Sequence, residues 1–500
     1  MLKNAWNNPE LERNIIYRLR PRNIILTSLL TVAFCGFVVI IVMMRRSNYD
    51  YSYDFSRDNG LNLFLFYVGT SLFFGYFYSY IAASRSVIGE KSRKTYDFLF
   101  MAPMSDTQVT IGKLLGSTIH MWFILGILTP FIAFAAVRSY ASVSLAGFFV
   151  FYGILLSGCI LAASIGLLLS SGLSPKSSFI SSGSTIGLVI IAFVAFMMGF
   201  SSSDAGIISI FFPTAFIARY NQYSYDTSLT DFFGTPIDKG LLTIALYAWL
   251  SLWIIKAVIR RIRNPSGTYL NPWEALILFV GLGLFLLGIH WNKYIQESYE
   301  WDIISFSLIF NGIVIAVIML LLTLNKESYL DYLRNRLMNR PVRFMSYQSP
   351  PHMLFFFLSI IFLLDIGGIM FSGISSWSFI LAALLASWVM IAFLYSFCLL
   401  VQLAKTIFIY SGSLIAILVA GTGLSLPPIA IGVLNLPDKY NIYSNPVSYI
   451  IEMQNSYYVW SGFEYLALPF GLTVLMVAML AVFAWRHYQL KGAVARRMKE

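Results

Sequence analysis

The chain has 500 residues, of which 58% are hydrophobic and only 11% charged, with a mean hydropathy of +0.73. Ordinary globular domains are about a quarter charged, so a water-soluble fold is excluded. The net charge of +11 would suggest nucleic acid on a soluble chain, but here the charges lie between long apolar runs. They read as loop charges of a membrane protein.

The first predicted element is a short helix over 8–20. Asn8 caps it, Pro9 takes its first position, Glu10 and Glu12 sit in the first turn, Arg18 and Arg20 in the last, and Pro21 stops it. Leu11, Ile15 and Leu19 form an apolar stripe flanked by arginines, which predicts a helix lying in the membrane interface. Apolar runs long enough to cross the hydrocarbon core, about 20 residues each, follow at 24–44, 61–83, 114–137, 144–170, 179–200, 239–259, 273–290, 302–324, 353–371, 378–401, 407–430 and 463–485. The first run is too long for a signal peptide and is followed by Met43-Met44-Arg45-Arg46 rather than a small-residue cleavage site. Gln402 to Thr406, with Lys405, is expected to be a tight turn between spans 10 and 11, because an unpaired Lys at mid-membrane costs at least ~2.5 kcal/mol.

Twelve spans divide the loops into two sets. The set that includes both termini carries 26 of the 34 Lys and Arg, and the other carries 8. This asymmetry predicts that both termini are cytoplasmic. The expected fold class is therefore an all-α polytopic membrane protein of about twelve transmembrane helices in two six-helix halves, 1–265 and 266–500. The halves share landmarks in order: Asn8-Pro9-Glu10 and Asn271-Pro272-Trp273-Glu274, Glu90 and Glu327, Pro175-Lys176 and Lys405, Pro213 and Pro446. Weak duplication of this kind is frequent in transporters.

The loop after span 2 is the most informative stretch. It runs from Glu90 through Arg93, Lys94, Thr95, Asp97, Leu99 and Pro103 to a new helix start, Ser105-x-x-Gln108, with capping-box spacing, and then Gly112-Lys113-Leu114. An apolar patch, Phe98 to Met101, sits between cations and suits docking on another protein.

In these residues the chain resembles the permease subunits of ATP-binding cassette (ABC) transporters of the second type, mainly exporters. Glu90, Arg93, Thr95, Asp97, Leu99, Pro103 and Gly112-Lys113-Leu114 match that family's coupling loop, with Lys94 where Gly is usual and Asp97 in place of Glu. In the second half Glu327 and Pro341 are kept, with Arg334 between them. The resemblance implies that this loop docks on cytoplasmic ATPase subunits, two copies, in the inner membrane of a bacterium. ATP and Mg²⁺ would bind there and not on this chain, which has no GxxxxGK[ST] motif. Membrane lipids and a transported substrate would be the other partners, and nucleic acid none.

Outside that loop, Asp365 in span 9 is either a satisfied structural acid or a pathway residue. Pro213 and Pro446 mark outer segments, 201–238 and 427–462, long enough for short re-entrant helices at a gate. His120, His290, His352 and His487 lack ligand spacing, and Cys35, Cys159 and Cys398 lie in apolar runs without CxxC pairing, so neither metal binding nor a disulfide framework is expected. Two alternatives remain. A secondary transporter would call for several mid-membrane ionisable groups, where this chain has essentially Asp365. A membrane enzyme acting on polyprenyl-linked glycans would call for clustered His, Arg or carboxylates on the outer loops.

Overall fold

The computed structural model describes residues 8–44, 52–96, 104–138, 145–172, 229–263, 269–296, 326–338, 377–407 and 467–497, with scattered positions in 308–322 and 359–363. The chain is an all-α polytopic membrane protein. Its helices are α1 (Pro9–Arg18), α2 (Pro21–Met44), α3 (Ser52–Ser92), α4 (Asp106–Arg138), α5 (Leu145–Gly172), α6 (Lys239–Arg263), α7 (Pro272–Gln296), α8 (Lys326–Leu337), α9 (Trp377–Ile407) and α10 (Ala467–Arg497). Eight of them are long and apolar enough to cross a membrane among the described residues. These eight fall on the runs expected at 24–44, 61–83, 114–137, 144–170, 239–259, 273–290, 378–401 and 463–485. The runs expected at 179–200, 302–324, 353–371 and 407–430 lie wholly or largely outside the described residues.

One expectation is corrected. Gln402 to Thr406 is not a turn: α9 continues through it to Ile407, with Gln402, Lys405 and Thr406 buried. The stretch contains no Gly or Pro to break a helix, and Lys405 falls in the last turn, where a cation complements the helix dipole. The outer segment 201–238 ends in a hairpin of β1 (Leu229–Phe232) and β2 (Thr235–Asp238), while its part around Pro213, where a re-entrant helix is expected, lies outside the described residues. The hairpin's turn residues Phe233 and Gly234 have φ of 49° and 79°, and two consecutive positive φ values are what a two-residue hairpin turn demands.

The chain divides into two compact units, one of residues 1–230 and 235–265, the other of 231–234 and 266–500. In the first unit α3 packs against α4 and α5, and α5 against α6. The core includes Leu63, Tyr67, Leu72, Leu125, Ile132 and Leu155, all buried, and the Tyr67 hydroxyl donates to the Cys35 carbonyl at 2.8 Å. Small residues let α3 and α5 approach closely: a Cβ on Gly158 would collide with the Tyr76 ring, and one on Gly166 with the Tyr80 carbonyl. Hydrocarbon gives helices no hydrophobic reason to associate, so such close packing carries the contact. At ~1.5 Å per residue, the 33-residue α4 exceeds the hydrocarbon core, about 30 Å thick, so part of it stands outside the membrane. In the second unit α8 packs on α9 and α10.

Candidate functional site

The expected coupling loop joins the end of α3 to the start of α4, and the structure ties both ends to α1. Asn8 caps α1: its Oδ1 accepts from the backbone N–H of Glu10 at 3.1 Å and of Leu11 at 3.4 Å. The other end of the same side chain, Nδ2, donates to the Gln108 carbonyl in the first turn of α4 at 2.5 Å. Two glycines one turn apart on α4 let α1 lie close. A Cβ on Gly112 would stand 2.8 Å from Glu10 Cβ, and one on Gly116 2.7 Å from Asn14 Cβ, shorter than any relaxed contact.

Between these glycines projects Lys113, 1% exposed, into a closed ring of four charges. Its Nζ donates to Glu90 Oε2 at 2.5 Å and to Glu10 Oε1 at 3.4 Å. Arg13 Nη2 closes the ring, 2.8 Å from both Glu10 Oε1 and Glu90 Oε1. Two carboxylates meet two cations, so the ring is neutral as a whole. Asn14 Nδ2 adds a donor to Glu10 Oε1 at 3.2 Å. Glu10 is 3% exposed and Glu90 16%, whereas Arg13 is 58% exposed and forms the solvent side. Burial lowers the Arg13 pKa, but Glu90 and Glu10 outweigh it and leave the pKa raised. Removing one member of a buried pair strands the other, which typically costs about 3–5 kcal/mol. The ring therefore joins α1, the last turns of α3 and the first turns of α4 into one body.

The α3 end is fixed a second way. Lys91 Nζ donates to the Ser170 and Ser171 carbonyls at 3.0 and 2.6 Å, capping the C-terminal turn of α5, and stands 5.5 Å from the Tyr96 ring centroid. The helix closes with a Schellman arrangement: the Thr95 N–H donates to the Glu90 carbonyl at 3.0 Å and the Lys94 N–H to the Lys91 carbonyl at 3.2 Å. Lys94 takes the left-handed position, φ 58°, where glycine is at ease. On the α4 side the capping box forms as its spacing predicts: the Ser105 N–H donates to Gln108 Oε1 at 2.9 Å and the Gln108 N–H to Ser105 Oγ at 3.3 Å. Arg93, Lys94 and Thr95 are exposed.

Glu90, placed in the loop by resemblance, thus makes its ion pairs within the protein, with Lys113 and Arg13, while Arg93 and Thr95 are presented outward. Asp97, Leu99 and Pro103 lie outside the described residues, as do Pro341, Asp365, Pro213 and Pro446. In the second unit Glu327 lies in the first turn of α8. Arg334 is exposed and 3.6 Å from Asp331 Oδ1. The inner face of α8 is aromatic: Tyr329, Tyr332 and Leu333 pack with Leu399, Phe483, Leu490 and Val494. The Tyr329 hydroxyl is 2.6 Å from His487 Nδ1, and burial raises the Tyr329 pKa.

Sequence reasoning did not find the ring. Glu10 and Arg13 read as local helix features, and their partners are 103 and 77 residues away. The usable signal is Gly112-Lys113-x-x-Gly116, a cation flanked by two small residues inside a helix whose other charges, Asp106 and Arg138, stand at its ends. Among the described residues no group of three His, Cys, Asp or Glu could hold a metal ion. No known protein family, no curated protein and no solved structure matches the chain.

Proposed function

We propose that this chain is the membrane-spanning permease of an ATP-driven exporter, with twelve helices in two six-helix halves, 1–265 and 266–500, and both termini cytoplasmic. ATP and Mg²⁺ would be bound on separate cytoplasmic ATPase subunits, two copies, at the inner membrane of a bacterium. The observation that carries this reading is the ring of Glu10, Arg13, Glu90 and Lys113. A loop that receives a push from a partner moves the membrane helices only if its base does not yield. The ring joins α3, α4 and α1, and Lys91 adds α5, so a force on the loop reaches several helices together. The exposed cations Arg93 and Lys94 stand on that base as the docking contact. Glu90 acts through Lys113 and Arg13 as a positioning residue. The charge asymmetry of the loops, 26 basic residues against 8, supports placing this face in the cytoplasm.

The test is purification of the tagged full chain from its native membranes, followed by identification of what comes with it. A chain carrying GxxxxGK[ST] should co-purify, and Arg93→Glu with Lys94→Glu should lose it while the permease remains folded. Transport that persists without any ATPase and requires the Asp365 carboxylate would replace this reading with an ion-coupled carrier.

A further inference from the structure

We propose that the outward face of α1, with the arginines that join it to α2, is a binding surface for anionic phospholipid headgroups. The face turned to α4 is committed to Asn8, Glu10 and Asn14, and Leu11 is buried. The other side leaves Ile16 and Tyr17 at 67% and 64% exposure, consecutive residues about 100° apart around the helix. Arg20 stacks over Tyr17, its guanidinium carbon 4.8 Å from the ring centroid, and Arg22 is exposed two residues on. Among the described residues neither Arg20 nor Arg22 makes an ion pair.

Continuity identifies the occupant. Pro21 begins a span of 22 residues whose early side chains Ile25, Leu26 and Leu29 are themselves exposed at 56% to 65%, as lipid-facing residues are. The chain passes from α1 into this span without a loop, the N–H groups of Asn23 and Ile24 donating to the Arg20 carbonyl at 2.9 and 3.0 Å, which would set Ile16 and Tyr17 at the acyl boundary and the arginines at headgroup level. A guanidinium stacked on a tyrosine is pre-positioned to grip phosphate through two parallel N–H donors. The proposal is independent of any ATPase.

The full chain in detergent is offered phosphatidylglycerol or phosphatidylcholine with the same acyl chains, and retained lipid is counted by native mass spectrometry. Phosphatidylglycerol should be preferred. A basic residue at a membrane surface contributes ~1 kcal/mol, about 5-fold, so Arg20→Gln with Arg22→Gln should cut the preference about 30-fold. The control Arg93→Gln with Lys94→Gln removes equal charge from the nearby loop and should leave most of it. Equal retention of the two lipids by the unaltered chain, or an equal loss in both variants, overturns the proposal. In bilayers containing phosphatidylglycerol, a thiol introduced by Tyr17→Cys should be shielded from an aqueous maleimide, the natural Cys35, Cys159 and Cys398 being buried. A thiol that stays reactive there would leave the face free for another protein and would also overturn it.

Discussion

The segments that begin with Asn8-Pro9 and Asn271-Pro272 use the same signal to start a helix, and they put it to different ends. Asn8 opens a ten-residue helix separate from the span, and Glu10, at the second helical position, turns away to meet Lys113 on α4. Asn271 opens the membrane-crossing α7 itself, and Glu274, one position further along, folds back so that its Oε2 accepts from the Asn271 N–H at 2.9 Å. A shift of one residue in the acid, about 100° around the helix, separates a long-range anchor from a local cap. The neighbouring loops differ likewise. The first unit holds its loop by charge, through the four ionic side chains of the ring and through Lys91. The second holds α8 by aromatic packing with one Tyr329–His487 hydrogen bond. Charge-held joints are intolerant of losing one partner, whereas packed joints tolerate any change that keeps the volume.

The largest expected effect separates these two modes. Lys113→Met keeps the stem but strands Glu10 and Glu90 with Arg13 alone, and should cost about 3–5 kcal/mol in unfolding of the purified chain. If the two units are held as described, the volume-conserving change Tyr329→Phe should cost only about 1 kcal/mol in the same assay. A loss at Tyr329→Phe equal to that at Lys113→Met would erase the distinction. Between these lies Gly116→Val, whose added carbons meet Asn14; overpacking should cost about 1–3 kcal/mol and render α1 more sensitive to protease, with the second unit unchanged. The smallest effect is a gain. Lys94→Gly relieves the left-handed φ of 58° and should raise stability by about 1 kcal/mol, measured as a higher unfolding midpoint.

Much of the fold is readable along the chain because the physics there is local. Asn8, Pro9 and the Ser105–Gln108 box act within one helical turn, and the apolar runs report directly on what hydrocarbon accepts. The misreading of Gln402 to Thr406 came where local polarity had a terminal explanation. Lys405 reads as a loop residue until its place in the last turn of α9 is known. The Phe233-Gly234 turn lacks the Asn-Gly pair that usually announces a hairpin, and so the sequence does not announce this one. The apolar stripe Leu11, Ile15 and Leu19 is visible in the sequence, yet Leu11 is buried while Ile16 and Tyr17 carry the exposure. Of the candidate site, the loop's position was legible but its base was not: nothing local says that Glu90 belongs with Lys113 and with Arg13, 77 residues before it.

The claim on which the rest depends is that these charges form one coupled unit joining α1, α3 and α4. A double-mutant cycle over Glu90→Gln and Lys113→Met, read as unfolding free energy of the full chain in one detergent, tests it most directly. The ring predicts that the double variant loses less than the sum of the singles, by about 1.5–3 kcal/mol, within the range seen for contacting residues. Losses that add to within about 0.5 kcal/mol, as independent sites do, would contradict it.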